Sequence, residues 1–137
     1  MSLHLLLFSA GGVGIGVDAD QIAGTATLTD HDGEPPPWLH EVLGFGDRPV
    51  LYREPVILEV GTGDEGRWKV VVDAMEDIIT AALDEIRPLP RPVEVRVRDK
   101  GLWGVLPRGD RMILLMDFRL YLRKYIRAAA ARHGGNE

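Results

Sequence analysis

The sequence predicts a mainly β protein, built as two small antiparallel barrels in tandem and followed by one C-terminal helix. Short apolar or alternating runs, separated by turns rich in Gly and Pro, recur along most of the chain. Two stretches, Leu5 to Gly24 and Val56 to Thr80, echo each other. Each is an apolar strand, a Gly-containing turn and a second strand that ends in Val-Asp-Ala, with an Ile soon after (Ile22, Ile78). A doubled β unit of this size makes tandem small barrels the natural architecture. Only the segment after Asp117 keeps a convincing helical spacing of apolar residues.

The elements follow in order. Leu3 to Phe8 is a continuous apolar run stopped by Gly11-Gly12, which reads as a buried strand and a turn. Val13, Ile15 and Val17 alternate with Gly14, Gly16 and Asp18, a strand with small residues on one face. Ile22 to Thr29 carries Thr at every second place and reads as a third strand. Asp30 to Pro37 is a loop, because three prolines remove three donors. Trp38 to Leu43 suits a short helix closed by Gly44. Val56 to Val60 and Trp68 to Val72 are strands joined by a polar turn.

The stretch from Asp73 to Ile86 pulls two ways. Its Ala, Met, Glu and Leu favour helix, while Ile78-Ile79-Thr80 favours strand. Val93, Val95 and Val97 alternate with charged residues, a half-exposed strand. Asp99-Lys100-Gly101 suits a hairpin loop, and Leu102 to Leu106 is the return strand. Pro107 to Asp110 is expected to be a turn, and Met112 to Met116 a buried strand that completes a three-stranded meander. In the final helix Phe118, Tyr121, Leu122, Tyr125, Ile126 and Ala129 share one face, opposite Arg119, Arg123, Lys124 and Arg127.

Composition narrows the function. The chain has 137 residues, enough for a substantial core. It has no cysteine, which removes thiol chemistry and suits a reducing cytoplasm. Its 16 basic and 21 acidic residues give a net charge of −5, so it has no general attraction for nucleic acid or anionic lipid. The apolar amino terminus lacks Lys or Arg and makes a poor signal peptide, and no run approaches the ~20 residues of a spanning helix.

Candidate chemistry is sparse. The glycines from Gly11 to Gly16 lack the dinucleotide-loop spacing, so a glycine-rich hairpin is the better reading and no cofactor is expected. His4, His31, His40 and His133 are scattered without ligand spacing, and no metal site is expected. Ser2 and Ser9 are the only serines and neither sits in a nucleophile elbow, so no catalytic residue is assigned. Arg108-Gly109-Asp110 reads as a turn. The basic helix face admits an alternative function, a small nucleic-acid-binding barrel, which the acidic total disfavours. Trp38 and Trp103 are either interface or core residues.

The pattern resembles a known family. The region from Pro55 to Leu122 resembles the second half of CheW-like domains, the adaptors of bacterial chemosensory arrays. The matching stretches are EPVILEV, VVVDAMEDIITAALDEIRPLP and GLWGVLPRGDRMILLMDFRLYL. The amino-terminal LLLFSAGGVGIGVDADQI resembles the family's first strand pair, and LHEVLGF its Leu-x-x-x-Leu-Gly segment. The resemblance implies two intertwined five-stranded barrels, each like a Src-homology-3 fold. It also implies that Asp73 to Ile86 is turn, strand and loop.

The same resemblance implies a non-catalytic cytoplasmic adaptor. Its expected partners are a CheA-type histidine kinase regulatory domain, the cytoplasmic tip of a chemoreceptor, or other CheW-like domains, a second copy included. The chain would be one CheW-like domain, with a first subdomain over 1–54, a second over 55–117 and the helix over 118–133. Family members carry a segment ending in Asn-Leu-Arg-Gly before mid-domain, whereas only Asp32-Gly33 stands near that place here. The first barrel is therefore expected to be shortened, and the family's partner-contacting Arg has no counterpart. Candidate partner-facing residues are Asp18, Asp20, Gln21 and Ile22 in the first Val-Asp-Ala turn, and Asp73, Glu76 and Ile78 in the second. Arg119, Arg123 and Arg127 on the helix complete the set. For each residue alone, turn or surface chemistry is the simpler reading.

Overall fold

The computed structural model describes residues 1–30, 33–44, 50–62, 66–91 and 100–123. Nine strands are assigned among them: β1 (Ser2–Ala10), β2 (Val13–Asp18), β3 (Ile22–Ala26), β4 (Pro55–Gly61), β5 (Arg67–Asp73), β6 (Ile78–Ala82), β7 (Arg87–Pro88), β8 (Leu102–Arg108) and β9 (Arg111–Met116). A short helix, α1 (Leu39–Leu43), ends at Gly44 with the left-handed backbone its position requires, φ 70°. The chain is helical again from 118 to 123.

One sheet path runs β3-β4-β5-β1-β2-β9-β8-β7, with β6 paired to β1 off that path. β1 is the shared element. Its N-terminal half pairs with β6, Ser9 near its C-terminal end pairs with Asp73 of β5, and its opposite edge pairs with β2. The strands therefore wrap two apolar interiors. Alternate residues of β1 serve them in turn: Leu6, Phe8 and Ala10 join one core, and Leu5 and Leu7 join the other. That is why Leu3 to Phe8 is apolar without a break, since a strand buried on both faces has no solvent side.

The first core gathers Ile15, Val17, Leu58, Val60, Val70 and Val72, and is covered by Phe118 and Leu122 of the C-terminal helix. Phe118 stacks against Phe8 with ring centres 6.4 Å apart and meets Trp68 at 5.8 Å. The second core holds Ala81, Leu106, Ile113 and Leu115 beside Leu5 and Leu7. Gly16 lets it close over β2. A Cβ there would stand 3.2–3.3 Å from Leu7, Ile113 and Leu115, so the small face of β2 is the wall of the second interior.

Several expectations change. The expected boundary between residues 54 and 55 does not separate the strands, because β3 pairs with β4 and β4 with β5. The first half is not short of strands: β3, β4, β5, β1 and β2 run side by side, since the β4–β5 hairpin belongs to it. The third strand stops at Ala26, and a 3-10 turn covers Leu28–Asp30. Pro107 lies in β8 opposite Met112, and only Gly109 and Asp110 form the turn. Met112 is 60% exposed, so β9 is not buried throughout. The expected strand at Val93–Val97 lies outside the described residues.

Asp73 to Ile86 resolves as connector, strand β6 and a 3-10 turn (Leu83–Glu85), not as one helix. Pairing with β1 supplies the backbone partners that outweigh its helical composition. The two Val-Asp-Ala stretches do end strands, but at unlike places. The first leads through a 3-10 turn (Ala19–Gln21) into β3, the second through a connector into β6.

Candidate protein-binding site

The second half carries an open groove of about 730 Å³. Leu7, Ile79 and Ile113, members of the second core or packed on it, are among its lining residues. Met75, Glu76 and Asp77, on the connector between β5 and β6, line it too, as do Arg108 and Arg111 at the β8–β9 turn. The connector is pinned by backbone bonds, Glu76 N–H to the Leu7 carbonyl at 2.7 Å and Leu7 N–H to the Asp77 carbonyl at 3.4 Å. Ala74 makes the sharp turn with φ 47°, the one non-glycine residue with positive φ among those described.

Charge frames this apolar floor. Arg111 pairs with Glu76 at 3.2 Å across the groove. Arg108 donates to the Thr80 carbonyl at 2.9 Å and lies 3.9 Å from Glu85. Met75 is 42% exposed and Ile78, which follows the connector, 59%. Exposed side chains of this size around a concave apolar floor suit a protein partner better than solvent.

A smaller cleft of about 260 Å³ lies elsewhere, lined in part by Leu3, Asp18, Gln21, Trp103 and Asp117. The two Val-Asp-Ala turns are thus not brought together. Asp18 caps the 3-10 turn by accepting from Asp20 N–H at 3.0 Å, and Asp20 is exposed. Ile22 packs on the first core.

Gln21 and Asp73, named above as partner-facing, are buried. Gln21 donates to Asp117 Oδ1 and accepts from Phe118 N–H, both at 2.9 Å. Asp73 accepts from the backbone N–H groups of Glu54 at 2.7 Å and Arg53 at 3.2 Å. Both side chains serve chain crossings, because a buried polar group must be satisfied from within. Arg119 and Arg123 are exposed on the helix, while Arg127 lies outside the described residues. Glu76 is at the groove, and Ile78 begins the strand beside it.

Sequence reasoning missed Met75, Arg108, Arg111, Leu7 and Ile113 as groove residues. The turn at Gly109-Asp110 is visible in the sequence, but the place of the flanking Arg108 beside β6 is not. Trp103 proves 40% exposed, whereas Trp38 packs edge-on against Tyr52 at 4.7 Å. Burial raises the Tyr52 phenol above its ordinary pKa, helped by the charges of Asp73 and Glu41 and opposed by the bond to the His40 backbone. Among the described residues no cluster of His, Asp or Glu could hold a metal ion, and no helix is long and apolar enough to cross a membrane.

Strands around two cores that share one central ladder, with a groove opening from the second, define a double-barrel β fold of the CheW type. The scaffolding protein TtCheW from Thermoanaerobacter tengcongensis has the same fold, with a TM-score of 0.66 over 85% of this chain and 84% of that one, at 19% identity. No protein-family model matches the sequence, and no curated protein matches it.

Proposed function

We propose that this protein is a non-catalytic cytoplasmic adaptor of bacterial chemosensory signalling. It binds the regulatory domain of a CheA-type histidine kinase, a chemoreceptor tip, or another CheW-like domain. The observation that carries the reading is the open apolar groove over Leu7, with Met75 and Ile78 exposed beside it, on a fold shared with a scaffolding protein. A groove of this kind offers buried area to a protein surface.

Calorimetric titration of the full chain with the kinase regulatory domain, the receptor tip and a CheW-like domain tests this. Binding to one of them, weakened about tenfold by Met75→Asp, supports the reading. No binding to any of the three overturns it.

A further inference from the structure

The backbone of β6 says what form the partner takes at the groove. The register pairs Leu3 with Ala81 and Leu5 with Ile79, and the bonds of Leu7 with Asp77 and Glu76 continue that series. Odd-numbered residues of β6 therefore turn their amides towards β1, and Ile78, Thr80 and Ala82 turn theirs outward. Two side-chain contacts agree. The Thr80 carbonyl accepts from Arg108, and Ala82 N–H donates to Glu85 Oε1 at 2.9 Å.

Among the described residues no strand pairs with this outer edge. Side chains cover its C-terminal part. Among the described residues the N–H and C=O of Ile78 and the N–H of Thr80 have no partner, beside the residue, Ile79, that lines the groove. An open donor–acceptor row next to an apolar floor is a template for a strand.

We propose that the groove binds an extended segment of the partner by strand addition to Ile78–Thr80, with apolar side chains over Leu7, Ile79 and Ile113 and an acidic side chain facing Arg108. The charge follows from the geometry. A strand entering here displaces Arg108 from the Thr80 carbonyl, and Glu85 at 3.9 Å is a weak counter-ion for the released guanidinium. A carboxylate on the incoming strand supplies the missing partner. Main-chain bonds then provide affinity, and alternate side chains provide selection. The proposal rests on the adaptor reading only in taking the ligand to be a protein segment.

The probe is a short fluorescein-labelled peptide of alternating valine and glutamate, titrated into the full chain with amide hydrogen exchange followed by NMR. Binding with slowed exchange at Ile78 and Thr80 is expected. Ile78→Pro removes an outward donor without touching the β1 ladder, and weakens binding about tenfold or more. Backbone N-methylation of the peptide does the same against the unaltered protein, which guards against a misfolded variant. Arg108→Ala erases the preference for the valine–glutamate peptide over a valine–lysine one.

No binding, indifference to N-methylation, or tighter binding of an amphipathic helical peptide overturns the proposal. So does an Ile78→Pro-sensitive dimer in light scattering, which would make a second copy the occupant. Kinase, receptor or CheW-like binding untouched by Ile78→Pro leaves the adaptor role standing and removes strand addition alone. Peptide addition without binding to any of those three proteins does the reverse.

Discussion

Gln21 and Asp117 meet side chain to side chain at 2.9 Å, joining the turn after β2 to the start of the C-terminal helix. The same Gln21 accepts from the buried N–H of Phe118, and Asp117 accepts from Leu120 N–H at 3.1 Å. This short chain of bonds seats Phe118 against Phe8 and Trp68 in the first core. The helix is held by a polar latch as well as by its apolar face.

Gln21→Ala breaks both bonds and leaves a buried N–H without its partner. The expected loss is about 1–3 kcal/mol of folding stability, read from urea unfolding followed by tryptophan fluorescence. Ala at the exposed Asp20 should change stability far less. Equal effects at the two positions would contradict the latch.

Ala74 holds a left-handed backbone at φ 47°, a conformation that costs a non-glycine residue about 1–2 kcal/mol. Ala74→Gly removes that cost and adds a smaller entropic one. The net expectation is a gain of about 0.5–1 kcal/mol in urea unfolding, with no loss of partner binding. A destabilised variant would show that the Ala74 methyl matters more than the strain.

Gly16 faces Leu7, Ile113 and Leu115 at distances that leave no room for a methyl without local movement. The facing atoms are side-chain ends, so Gly16→Ala should cost about 1 kcal/mol and Gly16→Val about 3 kcal/mol. Thermal unfolding of the two variants checks the order. A neutral Gly16→Val would mean that β2 does not wall the second core.

Tyr52 gives the fold an alkaline limit. Burial, with the Asp73 and Glu41 charges, raises its folded pKa above the ordinary phenol value, so the folded state favours the neutral phenol. That stability is fully present below the unfolded pKa and is lost as pH rises through the folded value. Unfolding free energy should therefore fall above pH 10 in the native chain, and fall less steeply in Tyr52→Phe. Parallel slopes for the two proteins would exclude Tyr52 as the group responsible.

Much of the fold was legible in the sequence, for a physical reason. Strand and turn signals are local: alternation marked β2, the return from a hairpin loop marked β8, the unbroken apolar run marked β1, and Gly44 marked the end of α1. The final helix also showed in its spacing, and the structure is helical over 118–123. The resemblance to CheW-like domains chose strand over helix for Ile78–Ala82, which composition alone left open.

The candidate site was mostly not legible. Asp73 and Gln21 looked like surface turn residues because a polar residue after a strand usually is one. Only the tertiary structure brings Arg53 and Glu54 N–H groups to Asp73, and Asp117 and Phe118 to Gln21, across sequence separations that no local pattern reports. The groove likewise needs β1, β6 and the β8–β9 turn at once.

By itself the sequence determined that the chain is built mainly of strands and where most of them lie, because pleat periodicity and turn chemistry act between near neighbours; it misplaced the ends of β3 and β8. The tertiary structure decided which strands share a core, which edge of β6 pairs with β1, and which polar residues face inward. Those outcomes depend on long-range pairing through β1, whose alternate side chains belong to two different interiors.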